Sequence, residues 1–502
     1  MYNIKKRFMK RNHLSLRRKA GMLSAMAVGV LLVSSCAQDG FDDESWRSDV
    51  TNTQLESPAA DDITIEASAD GSQTIISWPV VQGAGGYLCS VYDVSNPDDP
   101  AVVGGVQDSL VDRCQLVVER AEDTNYMFSI TTAGNEELNN AQAATATEVE
   151  FTSFTETYAS IPAGTDISTW FDQNMPTEDT GEELCFDLEP GEEYTMSKDI
   201  DFFDKRITLR TTSKTSPAKI TLTGNASFMT SAGFTLKYVD FDCANSTAPF
   251  IKMSATPDPD ILGVISGTNG YYDIQQPIII NTCNIDNLRG SLYTDNGVKY
   301  CVGTWLITNS VVHFNLDGTG TIEQNSLINA YGGHINNFTA QNTTMYNTGT
   351  ESVQYLLRYN NSGRCDRTGY LADYVNFRNC TFYGFRCGQF CNYGGLAGRA
   401  TSNYAVTSNI FVDCGDNVAR RIVAGRVGSA SASFSNNTYM NADGTFQSVN
   451  GSCAGYDDSG TAIEENPGFA DPTNGDFTVS GSAQISLGTG DPRWLPTNDN
   501  NQ

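Results

Sequence analysis

Asn281-Thr282-Cys283-Asn284-Ile285, Thr308-Asn309-Ser310-Val311-Val312, Gln341-Asn342-Thr343-Thr344-Met345 and Arg378-Asn379-Cys380-Thr381-Phe382 are four versions of one short pattern. The same register extends to Phe241-Asp242-Cys243 before them and to Ser408-Asn409-Ile410 and Asn436-Asn437-Thr438 after them. Three positions beyond the middle residue stand Asn245, Ile285, Val312, Met345, Phe382, Val412 and Met440, apolar in six of seven cases. The steps between middle residues are 40, 27, 33, 37, 30 and 28. Uneven steps near thirty around a polar corner are what a right-handed parallel β-helix requires. Stacked coils bury an inward stripe, corner Asn side chains hydrogen-bond along the stack, and the spare length becomes loops. Asn is accordingly frequent, with 24 in the 170 residues from Asn281 to Asn450, where Lys299 is the single lysine.

Outward from this repeat, Asp166-Ile167-Ser168-Thr169-Trp170-Phe171 puts a capping type of residue before apolar positions at helical spacing, which predicts a short helix covering the first coil. Residues 56–154 show short alternating strands between turn signals, the pattern of a small sandwich. The expected organisation is all-β: residues 1–35 a signal peptide, 36–55 an acidic tether, 56–154 the sandwich and 160–495 the β-helix.

The start of the chain carries an export signal. Eight basic residues (Lys5, Lys6, Arg7, Lys10, Arg11, Arg17, Arg18, Lys19) precede an apolar run from Ala20 to Val33, a length suited to secretion and short for a membrane span. The remainder sets 23 basic against 59 acidic residues, a net charge of −36. A body that acidic repels phosphate backbones, so nucleic acid is excluded as a partner.

Leu32-Val33-Ser34-Ser35-Cys36 resembles a bacterial lipobox, which makes Cys36 the expected lipidation site. The acidic stretch from Ala37 to Glu44 is similar to the export signal of lipoproteins of Bacteroides-type bacteria. The segments around Trp78, Gly86–Tyr92 and Tyr126 resemble a fibronectin type III domain with its tyrosine corner, although Arg120 and Glu122 stand where that family has Leu and Pro. Asn466-Pro467-Gly468-Phe469, Gly475-Asp476-Phe477 and Gly490-Asp491-Pro492-Arg493-Trp494 resemble the closing segment of pectate-lyase-like β-helix lipoproteins, a family of undefined function. The resemblance implies a lipid-anchored protein on the outer membrane, exposed at the cell surface, that accompanies an outer-membrane glycan importer. It names no reaction.

One window departs from the acidic rule. From Tyr355 to Arg426 there are nine Arg, no Lys and four acids. Guanidinium forks grip carboxylates and aromatic faces stack on sugar rings, so Arg358, Arg364, Arg367, Arg386 and Arg399, with Tyr359, Tyr370 and Tyr383, are the candidate binders of a polysaccharide, an acidic or pectic one in particular. Arg378, between Phe377 and Asn379, is expected to face outward. Three functions fit: glycan capture without catalysis, a polysaccharide lyase or glycoside hydrolase on the same coils, and a structural or adhesive surface protein. No catalytic residue is assigned. Adjacent acids such as Asp61-Asp62, Asp98-Asp99 and Asp457-Asp458 identify nothing in so acidic a chain. Thr294-Asp295-Asn296-Gly297 and Gly332-Gly333-His334 are expected to be turns, and His313 and His334 structural. No cofactor or metal is assigned; calcium suits an acidic protein, but no motif supports it. Cys243, Cys283 and Cys380 are expected as small inward fillers, four cysteines between Cys365 and Cys391 lack zinc spacing, and Cys89 is placed to pair with Cys114.

Overall fold

In the computed structural model one residue per coil turns the chain through a left-handed backbone conformation: Tyr238, Thr282, Asn309, Asn342, Asn379, Ser408 and Asn436, at φ between 48° and 59°. Asn tolerates this conformation better than most side chains, which explains its place in the repeat. All but the last of these corner N–H groups are spent on a carbonyl of the next coil: Thr282 donates to Thr308 (3.0 Å), Asn309 to Gln341 (3.1 Å), Asn342 to Arg378 (3.0 Å) and Asn379 to Thr407 (3.0 Å), whereas Asn436 donates to the Thr461 hydroxyl (2.9 Å). The structure describes residues 49–68, 72–177, 181–258, 260, 270–359, 373–393, 400–423, 430–449 and 457–496. The signal segment, Cys36, Arg364, Arg367, Tyr370 and Arg399 lie outside them.

These corners join parallel sheets of a β-helix. The first sheet runs from Ala159–Ile161 to Ser431–Ser435, the second from Glu193–Met196 to Thr438–Met440, and the third from Ile200–Asp201 to Cys391–Asn392. Sheet pairing is parallel throughout, with Ile285 beside Val312, Val312 beside Met345 and Met345 beside Phe382. All of these are buried. Further along the same inward row Phe382, Phe411 and Tyr439 stack with near-parallel rings 5.1 and 5.4 Å apart.

The sequence register holds for the four central coils and slips elsewhere. The first corner is Tyr238, not Asp242, and the last two are Ser408 and Asn436, one residue earlier than expected. In the true register the third residue after each corner is apolar in every coil: Phe241, Ile285, Val312, Met345, Phe382, Phe411 and Tyr439. Asn409 and Asn437 therefore point inward. Asn409 Oδ1 accepts from the N–H of Cys380 (3.0 Å), its Nδ2 donates to the carbonyl of Phe377 (2.8 Å), and Asn437 Oδ1 accepts from the N–H of Asn409 (3.0 Å). Ser310 and Thr343 fill the equivalent inward positions with Cys283 and Cys380, as small fillers should.

The helix Ile167–Asn174 closes the first coil, with Phe171 edge-on to Phe186 (4.9 Å) and Phe202 (5.3 Å). Asp166 caps it by accepting from the N–H of Thr169 (2.8 Å).

Described residues from Asp49 to Val94, Pro100 to Ala121 and Asn125 to Thr152 form a separate compact unit, an antiparallel sandwich of a three-stranded and a five-stranded sheet. Trp78 is buried between Tyr87 (5.4 Å) and Phe128 (5.7 Å), and the hydroxyl of Tyr126 accepts from the N–H of Ala121 (2.8 Å), the expected corner. Both rings are core, so neither is a sugar platform. The sandwich starts before residue 56: Asn52 and Leu55 already donate to the carbonyls of Leu138 and Ala141 (3.0 Å each). Cys89 and Cys114 do not pair. Cys89 lies in the core, where burial pushes its thiol up to about 12, while the half-exposed Cys114 thiol donates to the Tyr87 hydroxyl (3.7 Å). Cys301, by contrast, is disulfide-bonded.

Two outcomes test these contacts. Asn409→Ala strips a buried N–H of its acceptor and should cost about 1–3 kcal/mol in urea unfolding, whereas Asn342→Gly, which keeps the left-handed corner and removes only an outer side chain, should stay within about 0.5 kcal/mol; equal costs would refute the inner ladder. For Asp166, burial alone would raise the carboxyl, but donors from Ser168 and Thr169 bring it down to about 2. A depressed folded value means that its stabilisation is complete above the unfolded value of about 3.9 and is lost as pH falls toward 2. Asp166→Ala should therefore lower stability by about 1 kcal/mol at pH 7 and by clearly less at pH 2.5, read by denaturant midpoint.

Candidate functional site

Because side chains alternate along a strand, the second and fourth residues after each corner point outward, and the parallel register lines them up into two columns on the second sheet. The first column starts Lys219, Asp240, Asn284 and Val311 and continues Thr344, Thr381, Ile410 and Thr438. In the second, Thr221, Asp242 and Asp286 are followed by His313, then by Tyr346, Tyr383, Val412 and Met440. Both columns change from charged to apolar or hydroxyl-bearing along the stack.

The C-terminal segment accounts for that change. It folds back over the later coils: Gly490 donates to the carbonyl of Ser408 (2.8 Å), and Asp491 takes the hydroxyl of Thr344 (2.8 Å). The indole N–H of Trp494 donates to the same hydroxyl (2.8 Å). Val479, Phe469, Ile485 and Trp494 pack with Ile410, Val412 and Met440. Past Thr344 the cover ends and the sheet lies open as a groove of about 720 Å³. Lys219, Asp240, Asp242, Asn284, Asp286 and His313 line it, with Tyr346, Arg493 and Trp494 at the covered end.

Its groups are tied to one another. Asn284 Nδ2 donates to Asp240 Oδ1 (2.7 Å), and burial raises the Asp240 carboxyl despite that bond. His313 Nδ1 lies 2.5 Å from Asp286 Oδ1, and this hydrogen bond holds the Asp286 carboxyl below its ordinary value. The other ring nitrogen, Nε2, is 2.6 Å from the hydroxyl of Thr348, an exposed residue just past the second sheet. The imidazole is fixed face to face on the Tyr346 ring, 4.5 Å away with the planes 8° apart. Arg493 is engaged by Asp491 (3.0 Å).

The Arg and Tyr candidates do not form one surface among the described residues. Arg358 lies on the third sheet between the rings of Tyr331 (4.2 Å) and Tyr355 (4.8 Å), its Nη1 donating to the carbonyl of Gln324 (2.7 Å). Arg386 sits in the turn after the second sheet with Nη2 on the carbonyl of Gly349 (2.7 Å). Tyr359 is a correction: it points into the core, fully buried against His334 (5.2 Å) and Tyr393 (5.1 Å), because alternation turns it inward next to outward Arg358. Tyr383 faces out but is covered by Phe469 and Phe477. Arg378 is exposed. His334 is core, bonded to Asp373 (2.8 Å), and Asp295 closes its turn by accepting from Gly297 (3.0 Å) and Gly333 (2.8 Å), burial raising its carboxyl to about 7. His313, in contrast, belongs to the groove. Among the described residues no group of three His, Cys, Asp or Glu side chains is placed for a metal ion.

Three family models match the chain in succession. A domain of unknown function (DUF4992) covers residues 9–198, a second (DUF4957) residues 192–348, and a third (DUF5123) residues 375–494. The first spans the sandwich and the opening coil, the second the coils that carry the groove's charged residues, and the third the later coils and their cover. No curated protein matches the chain.

Proposed function

We propose that this chain is an exported, lipid-anchored protein that binds polysaccharide in the groove of the second sheet, as an accessory to glycan uptake. The observation that carries the reading is the groove itself: an open channel on rigid coils whose walls offer carboxylate acceptors, the amide of Asn284, the ammonium of Lys219 and the indole of Trp494. Sugar hydroxyls need donors and acceptors together, and a sugar's apolar face needs an aromatic edge or plane. Three carboxylates against Lys219, with Arg493 held by Asp491, favour a neutral chain over the uronate that the Arg window suggested.

The anchor rests on the basic start, the apolar run and Cys36. A disulfide at Cys301 suits an oxidising compartment. Several acyl chains on Cys36 would hold the chain stably to the outer membrane, facing the surface beside a glycan importer. No helix among the described residues is long and apolar enough to cross a membrane.

In affinity gels the chain should be retarded by neutral xylan, galactan or glucan more than by homogalacturonan. Asp242→Asn with Trp494→Ala should weaken that retardation about tenfold or more, a loss of about 1.4 kcal/mol, while Arg358→Ala leaves it. No retardation by any member of the panel, or loss with Arg358→Ala alone, would sink the reading. For the anchor, the intact chain should sediment with membranes and Cys36→Ser should release it; membrane association unchanged by Cys36→Ser would remove Cys36 as the attachment point.

A further inference from the structure

We propose that Thr348, His313 and Asp286 form a catalytic relay that removes acyl esters from the glycan held in the groove. The three residues come from successive coils, and their reacting atoms are 2.6 and 2.5 Å apart on the two sides of one imidazole. The polarity of the chain follows from hydrogen-bond chemistry. An ionised carboxylate only accepts, so Nδ1 of His313 carries the hydrogen that faces Asp286; in a neutral imidazole Nε2 then only accepts, and the Thr348 hydroxyl is left as donor. Hydroxyl to imidazole to carboxylate is the order that makes a hydroxyl nucleophilic.

The surroundings suit the task. Asp286 and His313 line the groove, so a chain bound there passes the relay, and Thr348, itself exposed, joins it through His313 Nε2. The Tyr346 ring under the imidazole prevents it from turning away. Arg386 donates to the carbonyl of Gly349, the residue after Thr348, and its Nε lies 4.0 Å from Asp413, so a paired guanidinium stands beside the loop that carries the hydroxyl.

The step balances with water as the only co-reactant. Thr348 Oγ attacks the ester carbonyl carbon and its proton passes to His313 Nε2. The bond from that carbon to the sugar oxygen breaks, and Nε2 returns the proton to the departing oxygen. Water, deprotonated by Nε2, then attacks the acyl-Thr348 ester, which releases the carboxylic acid as the proton returns to Oγ. The substrate class rests on the glycan reading of the groove; the relay does not.

The test uses the full chain with p-nitrophenyl acetate, acetylated xylan and diisopropyl fluorophosphate, followed by peptide mass mapping. Expected are acetate release from both esters and a phosphoryl label on Thr348, all lost in Thr348→Ala and kept in Thr348→Ser. Asp286→Asn should lower release about a thousandfold or more, since an amide favours the wrong imidazole tautomer. Release or labelling that persists in Thr348→Ala overturns the relay, as does absence of both in a chain that xylan still retards, which would leave glycan binding standing. Release from p-nitrophenyl acetate alone, without retardation by xylan, would overturn the glycan substrate and keep the relay.

Discussion

The hydrogen bond from a corner N–H to the carbonyl of the following coil, made by every corner from Tyr238 to Ser408, is the constraint on which the remainder depends. It requires a left-handed residue at one place per turn, and it locks coil upon coil in parallel register whatever the length of the loops between. Once that register is fixed, alternation decides every side chain in the second sheet. A slip of one residue would exchange the inward row of Ile285, Val312 and Met345 for Asn284, Val311 and Thr344, which is why the buried row enforces the register so strongly.

The same register builds the groove. Outward residues of the later coils are small or apolar because the C-terminal segment lies on them, and its aromatic side chains exclude water from Ile410, Val412 and Met440. Outward residues of the earlier coils have no such cover, and Lys219, Asp240, Asp242 and Asp286 among them are charged. The boundary falls at Thr344, whose hydroxyl serves both Asp491 and Trp494. A groove on a solenoid thus needs no special insertion. It arises where the chain's own covering segment stops, and the rigidity of the stack holds Asp286, His313 and Thr348 within hydrogen-bond distance although 62 residues separate the first from the last.

Much of the fold was legible because corner, filler and apolar residue recur in one-dimensional order. Thr282, Asn309, Asn342 and Asn379 gave the corners correctly, and Asp166 and Phe171 the capping helix. The first corner escaped because Tyr238 lacks the expected polar side chain, and Asp242, which took its place in the reading, is a groove residue two positions into the outward column. That error hid the site. With the corner at Tyr238, the residues two and four positions on would have aligned Asp240 and Asp242 with Asn284 and Asp286, and the change from charge to Thr and Ile along the column would have marked an open end. Nearness in sequence spreads over three faces of a coil, so Arg358, Tyr359 and Arg386 of the Arg window end on a sheet surface, in the core and in a turn.

By itself, then, the sequence determined the β-helix and its sandwich, because backbone conformation, side-chain alternation and apolar periodicity are local properties that repeat. Only the tertiary structure decided which residues share a surface. Register, the path of the covering segment and the pairing of His313 with both Asp286 and Thr348 depend on stacking between coils, and no spacing within one coil encodes which neighbour will stand above it.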